Sequence, residues 1–275
     1  GADADLPGAA RLRDQVAEAV TAQHAVADRG AVQVRARFPG WTVRADACAD
    51  SPAWAIIHRA EGAEGGVAGG AADLIVVGSR GHGAIKRALL GSVAQKVVSE
   101  ARCSVRIARP RTHQPGEPPR ILIGVDGSAN SRAAVNAVAA RSWPLGTRVL
   151  IACYAQGISG LELSSALGMP GIVMSGGDPL GGASIDAWAT QVAGESAALL
   201  RAQCPGVEVS TVVRISDPKY ALVDEAAHWG PGGADCVFVG AKGIRGVERF
   251  LLGSVSTHVA MHAPCSVEVV RVPKP

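Results

Sequence analysis

The chain predicts an α/β fold built from two tandem, doubly wound parallel-sheet repeats, and three observations carry that expectation. Hydrophobic residues make up 48% of the 275 residues while aromatics make up 4%, so the core must rest on Ala, Val, Leu and Ile, as parallel strands covered by helices do. Short apolar runs alternate with stretches of helical periodicity. Finally, the chain repeats itself: residues 78–109 laid over 240–271 without a gap are identical at 14 of 32 positions, an offset of 162.

The repeated positions include Gly78/Gly240, Gly81/Gly243, Arg87/Arg249, the tract "LLGSV" at 89–93 and 251–255, and "CSV" at 103–105 and 265–267. "ADLIVVG" (72–78) and "ADCVFVG" (234–240) precede them as buried-type strands. Between the copies, "PRTHQPGEPP" (110–119) holds four prolines and reads as a linker. Domains are expected at 1–112 and 119–275.

The second copy is complete in elements. "RILIGVDGS" (120–128) is a strand closing in an Asp-Gly turn, and 131–143 is a helix capped by Ser128 or Asn130. "TRVLIACYA" (147–155) is a strand, and the glycine-rich stretch from Gly157 to Gly182 is a long loop of the kind that is often a functional lid. Next come a helix at 185–204, a strand at 207–215, and a helix at 217–229 opened by Asp217 with Pro218 in its first turn. Strand 234–239, a helix from Ser254 to His262 and strand 265–272 complete it.

The first copy is not complete. A helix at 9–30 corresponds to 185–204, but nothing in residues 1–40 matches "ILIGVDGS" or the second strand. Residues preceding Gly1 are therefore expected in the natural protein, because a sheet without its central strands leaves backbone groups unpaired.

The formal charge of +3 is mild and its basic residues are scattered, which disfavours nucleic acid as main partner. No apolar run reaches the ~18–20 residues of a membrane span and the N-terminus lacks a secretory core, so a cytoplasmic protein is expected. The six cysteines show no CxxC pair or zinc-type cluster, and most of them read as small buried hydrophobes, with disulfides the minority reading.

The glycine tracts carry the functional signal. In G-x2-G-x9-G-S, the first glycine closes a strand, and Gly253-Ser254 opens a helix whose free N–H groups attract phosphate. On this reading Gly240 and Gly243 keep side chains away from phosphate oxygens, and the Ser254 hydroxyl donates a further bond. Lys86, Arg87, Arg249 and Lys242 lie near enough to neutralise phosphate, or are ordinary surface cations. A P-loop is rejected because Ala84 and Ile85 stand where Lys and Ser/Thr belong, and "SGGDP" (175–179) has no leading strand. His258 and His262 lie one turn apart, but Val259 replaces the glutamate of HExxH, and a solvated helix end explains them better. His82 has Ile244 as its counterpart and is incidental.

These motifs, with "HAPCSVEVVR" after them, resemble the universal stress protein family in its tandem form, over nearly all of 119–275 and about 30–112. The resemblance implies an adenine nucleotide alpha-hydrolase-like fold with strand order 3-2-1-4-5 and ATP as ligand, with Mg2+ optional. Carried over residue by residue, it assigns Asp126 to the adenosine side. It assigns phosphate and ribose contacts to Val239, Gly240, Ala241, Gly243, Gly253, Ser254 and Val255, and in the first half to Val77, Gly78, Ser79, Gly81, Gly91, Ser92 and Val93. It also implies an intrachain pseudo-dimer through the last strands, with a homodimer open.

The expected function is an ATP-dependent stress-response regulator acting through unidentified protein partners, with no catalytic residues and no metal ligands. The alternatives are a slow ATPase or nucleotidyl-transfer enzyme, and a structural paired domain that binds no nucleotide.

Overall fold

The computed structural model describes residues 9–62, 70–79, 90–110, 116–155, 182–243 and 252–272. It divides into two compact units, Gly1–Ala55 and Ile56–Pro275.

The first unit is dominated by α1 (Ala9–Arg37), which runs past the expected stop at Gly30. A single helical glycine costs about 1 kcal/mol relative to alanine and does not end a helix by itself. Pro39 does, two residues after the last helical position. Beyond it Phe38 stacks on Trp41 with centroids 4.6 Å apart, and residues 42–48 form no strand. Helix α2 follows at Pro52–Ala60.

The second unit carries the sheet. Its elements in order are β1 (Leu74–Gly78), α3 (Ser92–Glu100), β2 (Ser104–Ala108), β3 (Arg120–Gly124), α4 (Ala129–Ala139), β4 (Arg148–Ala155) and α5 (Gly182–Gln203). They are followed by β5 (Glu208–Ile215), α6 (Pro218–His228), β6 (Cys236–Gly240), α7 (Ser254–His262) and β7 (Ser266–Val270).

Among the described residues, seven strands join one sheet in the order β1-β2-β7-β6-β3-β4-β5. Within the second repeat β5, β4, β3, β6 and β7 are parallel neighbours, which is the 3-2-1-4-5 order. The first repeat contributes β1 and β2, themselves parallel. They enter the same sheet because β2 pairs antiparallel with β7. The two repeats thus share one continuous sheet.

Alternation along β3 sets the layers. Ile121 and Ile123 pack on one side with Val149, Ile151 and Phe238, under Ala134, Val135 and Val138 of α4 and Ala189, Ala193, Ala197 and Leu200 of α5. Gly124, on the other side, lies against Leu222 of α6. Small residues on the helices let them approach closely, and each fully buried Ile or Phe contributes about 1.5–3 kcal/mol. Among the described residues no helix is long and apolar enough to cross a membrane.

Candidate functional site

β3 and β6 are adjacent and parallel, so the turns that leave their carboxyl ends must meet. After β3, the Ser128 N–H donates to Asp126 Oδ1 at 3.0 Å, and Ser128 Oγ accepts from the Ser131 N–H at 3.1 Å, capping α4. Gly127 has φ +75°, and a Cβ there would meet Val192 and Trp188 of α5 at 3.3 and 3.5 Å. The turn is thereby pinned beneath α5, with Asp126 at its start.

After β6, the Ala241 N–H donates to Val270 O at 2.8 Å and Ala241 O accepts from the Gly253 N–H at 2.8 Å. Ser256 Oγ also donates to Ala241 O, at 2.9 Å. Ala241 is thus consumed by holding the loop's two ends together. The first intrahelical bond of α7 runs from the Thr257 N–H to Gly253 O at 2.9 Å. Gly253, the N-cap residue, brings no side-chain cap, so the Ser254, Val255 and Ser256 amides have no acceptor inside the helix.

The residues that carry those amides line a cleft of about 350 Å³. Of the residues singled out by sequence, Asp126, Val239, Gly240, Gly243, Gly253, Ser254 and Val255 line it, whereas Ala241 does not. Lys242 also lines it. Gly81, His82, Lys86, Arg87 and Arg249 lie outside the described residues, as does the long loop expected over Gly157–Gly182, except for Gly182, which begins α5.

The structure gives the glycines a packing role that the sequence did not announce. A Cβ on Gly240 would lie 2.6 Å from the carbonyl carbon of Asn130, so the first turn of α4 occupies that space. A Cβ on Gly243 would lie 2.5 Å from Asp126 Oδ2. Gly240 is thus required by the protein's own backbone packing, before any ligand is considered, whereas a Cβ on Gly243 would have to displace the Asp126 carboxylate.

The first repeat reproduces the bonds that flank this loop. The Ser79 N–H donates to Ala108 O at 3.1 Å and the Gly91 N–H to Ser79 O at 2.9 Å, the same two bonds at the 162-residue offset. Gly91 (φ −65°, ψ 150°) and Gly253 (φ −65°, ψ 154°) have matching conformations, and α3 likewise starts without a side-chain cap. Val77 and Gly78 close β1, and Ser92 and Val93 form the first turn of α3.

The cleft has further walls that no motif pointed to: Tyr154 at the end of β4, Trp188 on α5, and Asp217, Lys219 and Leu222 at the start of α6. The Tyr154 hydroxyl donates to Glu225 Oε2 at 2.7 Å, and burial, reinforced by that carboxylate, pushes its pKa up. Asp217 caps α6 by accepting from the Lys219 N–H at 3.0 Å. Its Asp-Pro signature was legible, but its place on the cleft was not.

Comparison with known proteins bears on the same halves. The model of the universal stress protein family matches residues 8–109 and 118–271. Universal stress proteins of Mycobacterium tuberculosis H37Rv and Mycobacterium bovis are each 32% identical over 202 residues, 73% of this chain. The chain spans 62% of the length of these relatives. Among solved structures, a universal stress protein from Archaeoglobus fulgidus aligns over 90% of this chain and 76% of its own, with TM-score 0.52 and 20% identity. A functionally unknown protein of Pseudomonas aeruginosa PAO1 aligns over 91% and 78%, with TM-score 0.53 and 16% identity. At such identities the structural likeness bears on the fold alone.

Proposed function

The chain belongs to the universal stress protein family, and on that premise we propose that it is an ATP-binding regulator of a stress response. Its repeats are 1–112 and 119–275, and the nucleotide binds the second. The observation that carries this reading is the uncapped start of α7, whose residues line the cleft. Three amides without helical acceptors, at the positive end of a helix dipole, form an anion site, and about 350 Å³ lies within the range of ligand clefts.

In this reading the Gly253–Val255 turn and the Ser254 hydroxyl hold the phosphates, and Lys242 offsets part of their charge. Val239, Gly240 and Gly243 form the floor under the ribose and first phosphate. Asp126 faces the adenosine side, beside Tyr154 and Trp188. Among the described residues no group of three or more His, Cys, Asp or Glu is placed to hold a metal. Mg2+ would thus enter on the phosphates, with Asp126 and Asp217 the cleft carboxylates nearest to hand. Occupancy then changes what the protein's surface offers to a protein partner.

A structural paired domain with an empty cleft is the competing reading, favoured by the packing role of Gly240. Calorimetric titration of the full chain with ATP separates the two, together with mass spectrometry of nucleotide released on denaturation. Micromolar binding or co-purified nucleotide supports the proposal, and the absence of both overturns it. Steady-state phosphate release no greater than that of an Asp126→Ala variant is expected for a regulator, and release well above it would point to an ATPase.

A further inference from the structure

The junction between β2 and β7 is nearly symmetric under exchange of the repeats. Val105 lies opposite Val269, Arg106 opposite Glu268, and Ile107 opposite Val267. At the repeat offset Val105 corresponds to Val267 and Ile107 to Val269, so the pairing centres on one position, 106/268, which faces its own counterpart.

The flanking contacts are reciprocal. The Arg109 N–H donates to Ser266 Oγ at 3.1 Å, and the Arg271 N–H to Ser104 Oγ at 3.1 Å. The Arg109 guanidinium donates to Ala260 O at 2.7 Å and Cys265 O at 3.1 Å, at the end of α7. That of Arg271 donates to Val98 O at 2.6 Å and Cys103 O at 3.3 Å, at the end of α3. Each is the other's bond with the halves exchanged, so two β2 strands or two β7 strands from different copies would make them equally well.

Only the central position distinguishes like from unlike. Glu268 is 1% exposed. Its carboxylate accepts hydrogen bonds from Arg141, just beyond α4, at 2.9 Å on Oε2 and 2.6 Å on Oε1, and forms an ion pair with Arg106, whose Nε lies 2.9 Å from Oε2 without the alignment of a hydrogen bond. Both guanidinium groups also lie over the Phe238 ring, 5.5 and 5.1 Å from its centroid. A like pair of β2 strands would oppose two Arg106 side chains with no carboxylate between them. A like pair of β7 strands would oppose two buried Glu268 side chains, each with Arg141 alone. Like charges directly opposite on an antiparallel pair are destabilising, and more so when removed from water.

We infer that Arg106 and Glu268 are a pairing code at the centre of this junction, which commits the last strands of the two repeats to each other and bars like-with-like association with a second copy through the same strands. The code acts when the strands meet during folding. Its effect is on assembly, and it is independent of any ligand in the cleft.

The test uses the full chain in the Arg141→Gln background, so that an exchanged pair meets no second guanidinium. Arg106→Glu and Glu268→Arg are each expected to melt about 5–10 °C below the neutral Arg106→Gln and Glu268→Gln. The exchange R106E/E268R is expected to recover at least half of the larger loss. In the same Arg141→Gln background, Arg106→Leu/Glu268→Leu removes the code without burying an unpaired charge. After refolding from urea at rising protein concentration, light scattering is expected to show at least fivefold more dimer than the Arg141→Gln chain gives. Three results would each overturn the inference: reversals no worse than the glutamine variants, an exchange no better than the worse reversal, or a leucine pair that refolds to the mass distribution of the Arg141→Gln chain. If a reversal variant yields no folded protein, the leucine pair alone decides.

Discussion

Asn130 closes over Gly240: a Cβ on that glycine would sit 2.6 Å from the Asn130 carbonyl carbon and 2.8 Å from its oxygen. Backbone on both sides makes the contact rigid, so Gly240→Ala must push α4 away from β6. Overpacking of this kind costs about 1–3 kcal/mol, and urea denaturation is expected to show a loss in that range. Gly253→Ala meets the Ser256 hydroxyl at 3.2 Å, the Ala241 carbonyl at 3.3 Å and the Lys242 Cα at 3.4 Å, and should cost less. Equal losses at the two positions would mean that the α4–β6 contact does not set the tolerance.

Gly253 allows stability and ligand binding to be driven in opposite directions. It sits at φ −65° and ψ 154°, which any residue adopts, and leaves α7 uncapped. Gly253→Asp supplies a capping carboxylate at the positive end of the helix, worth about 0.5–1 kcal/mol. The same carboxylate stands where the proposed phosphate goes, so ATP affinity in calorimetry is expected to fall tenfold or more while the melting temperature rises. A variant that is stabilised and still binds ATP normally would move the phosphates away from α7.

What the sequence disclosed and what it withheld divide along physical lines. α7 was legible to its ends, Ser254 and His262, because a Gly-Ser opening and a following Ala-Pro are local signals. The Asp217-Pro218 start of α6 was legible for the same reason. The extension of α1 to Arg37 was not, since Gly30 imitates a stop that only the later proline enforces. Glu268 in "CSVEVVRV" looks like the solvent-facing member of an alternating strand, yet it is 1% exposed. Its partners, Arg106 and Arg141, lie far away in sequence, and no local pattern can announce them. Tyr154 and Trp188 reach the cleft through the positions of their strand and helix, which carry no spacing signature.

Thiol reactivity tests the burial of the sheet. Burial pushes the pKa of Cys153, Cys236 and Cys265 up to about 12, with the Asp126 charge adding to the effect at Cys153. Burial also raises Cys103 and Cys204, while Cys48 is exposed. Because the thiolate is the reactive species, a disulfide reagent at pH 8 is expected to modify one thiol rapidly in the native chain and all six cysteines after denaturation. Two or more thiols reacting at the rate of Cys48 would show that the sheet is looser than its packing indicates.

The outer face of α6 and α7 makes stability depend on acidity. His258 stacks on His262, with ring centroids 4.2 Å apart, and meets Tyr220 edge-on at 4.8 Å. Burial lowers the His258 pKa, His262 and Lys219 lower it further, and Asp217 opposes them. A histidine whose folded pKa lies below its unfolded value of about 6.5 binds its proton more readily in the unfolded chain. Its contribution is therefore complete above that value and is lost as the pH falls through the folded pKa. Melting temperatures are expected to decline on acidification from pH 7.5 towards 5, with a shallower decline in His258→Gln, which has no such proton to take up. In His262→Gln the His258 resonance is expected to titrate at a higher pH than in the native chain, because one of the neighbouring positive charges is gone. Burial, the largest cause, remains, so the shift back is partial. A His258 titration unmoved by His262→Gln would leave the depression to burial and Lys219.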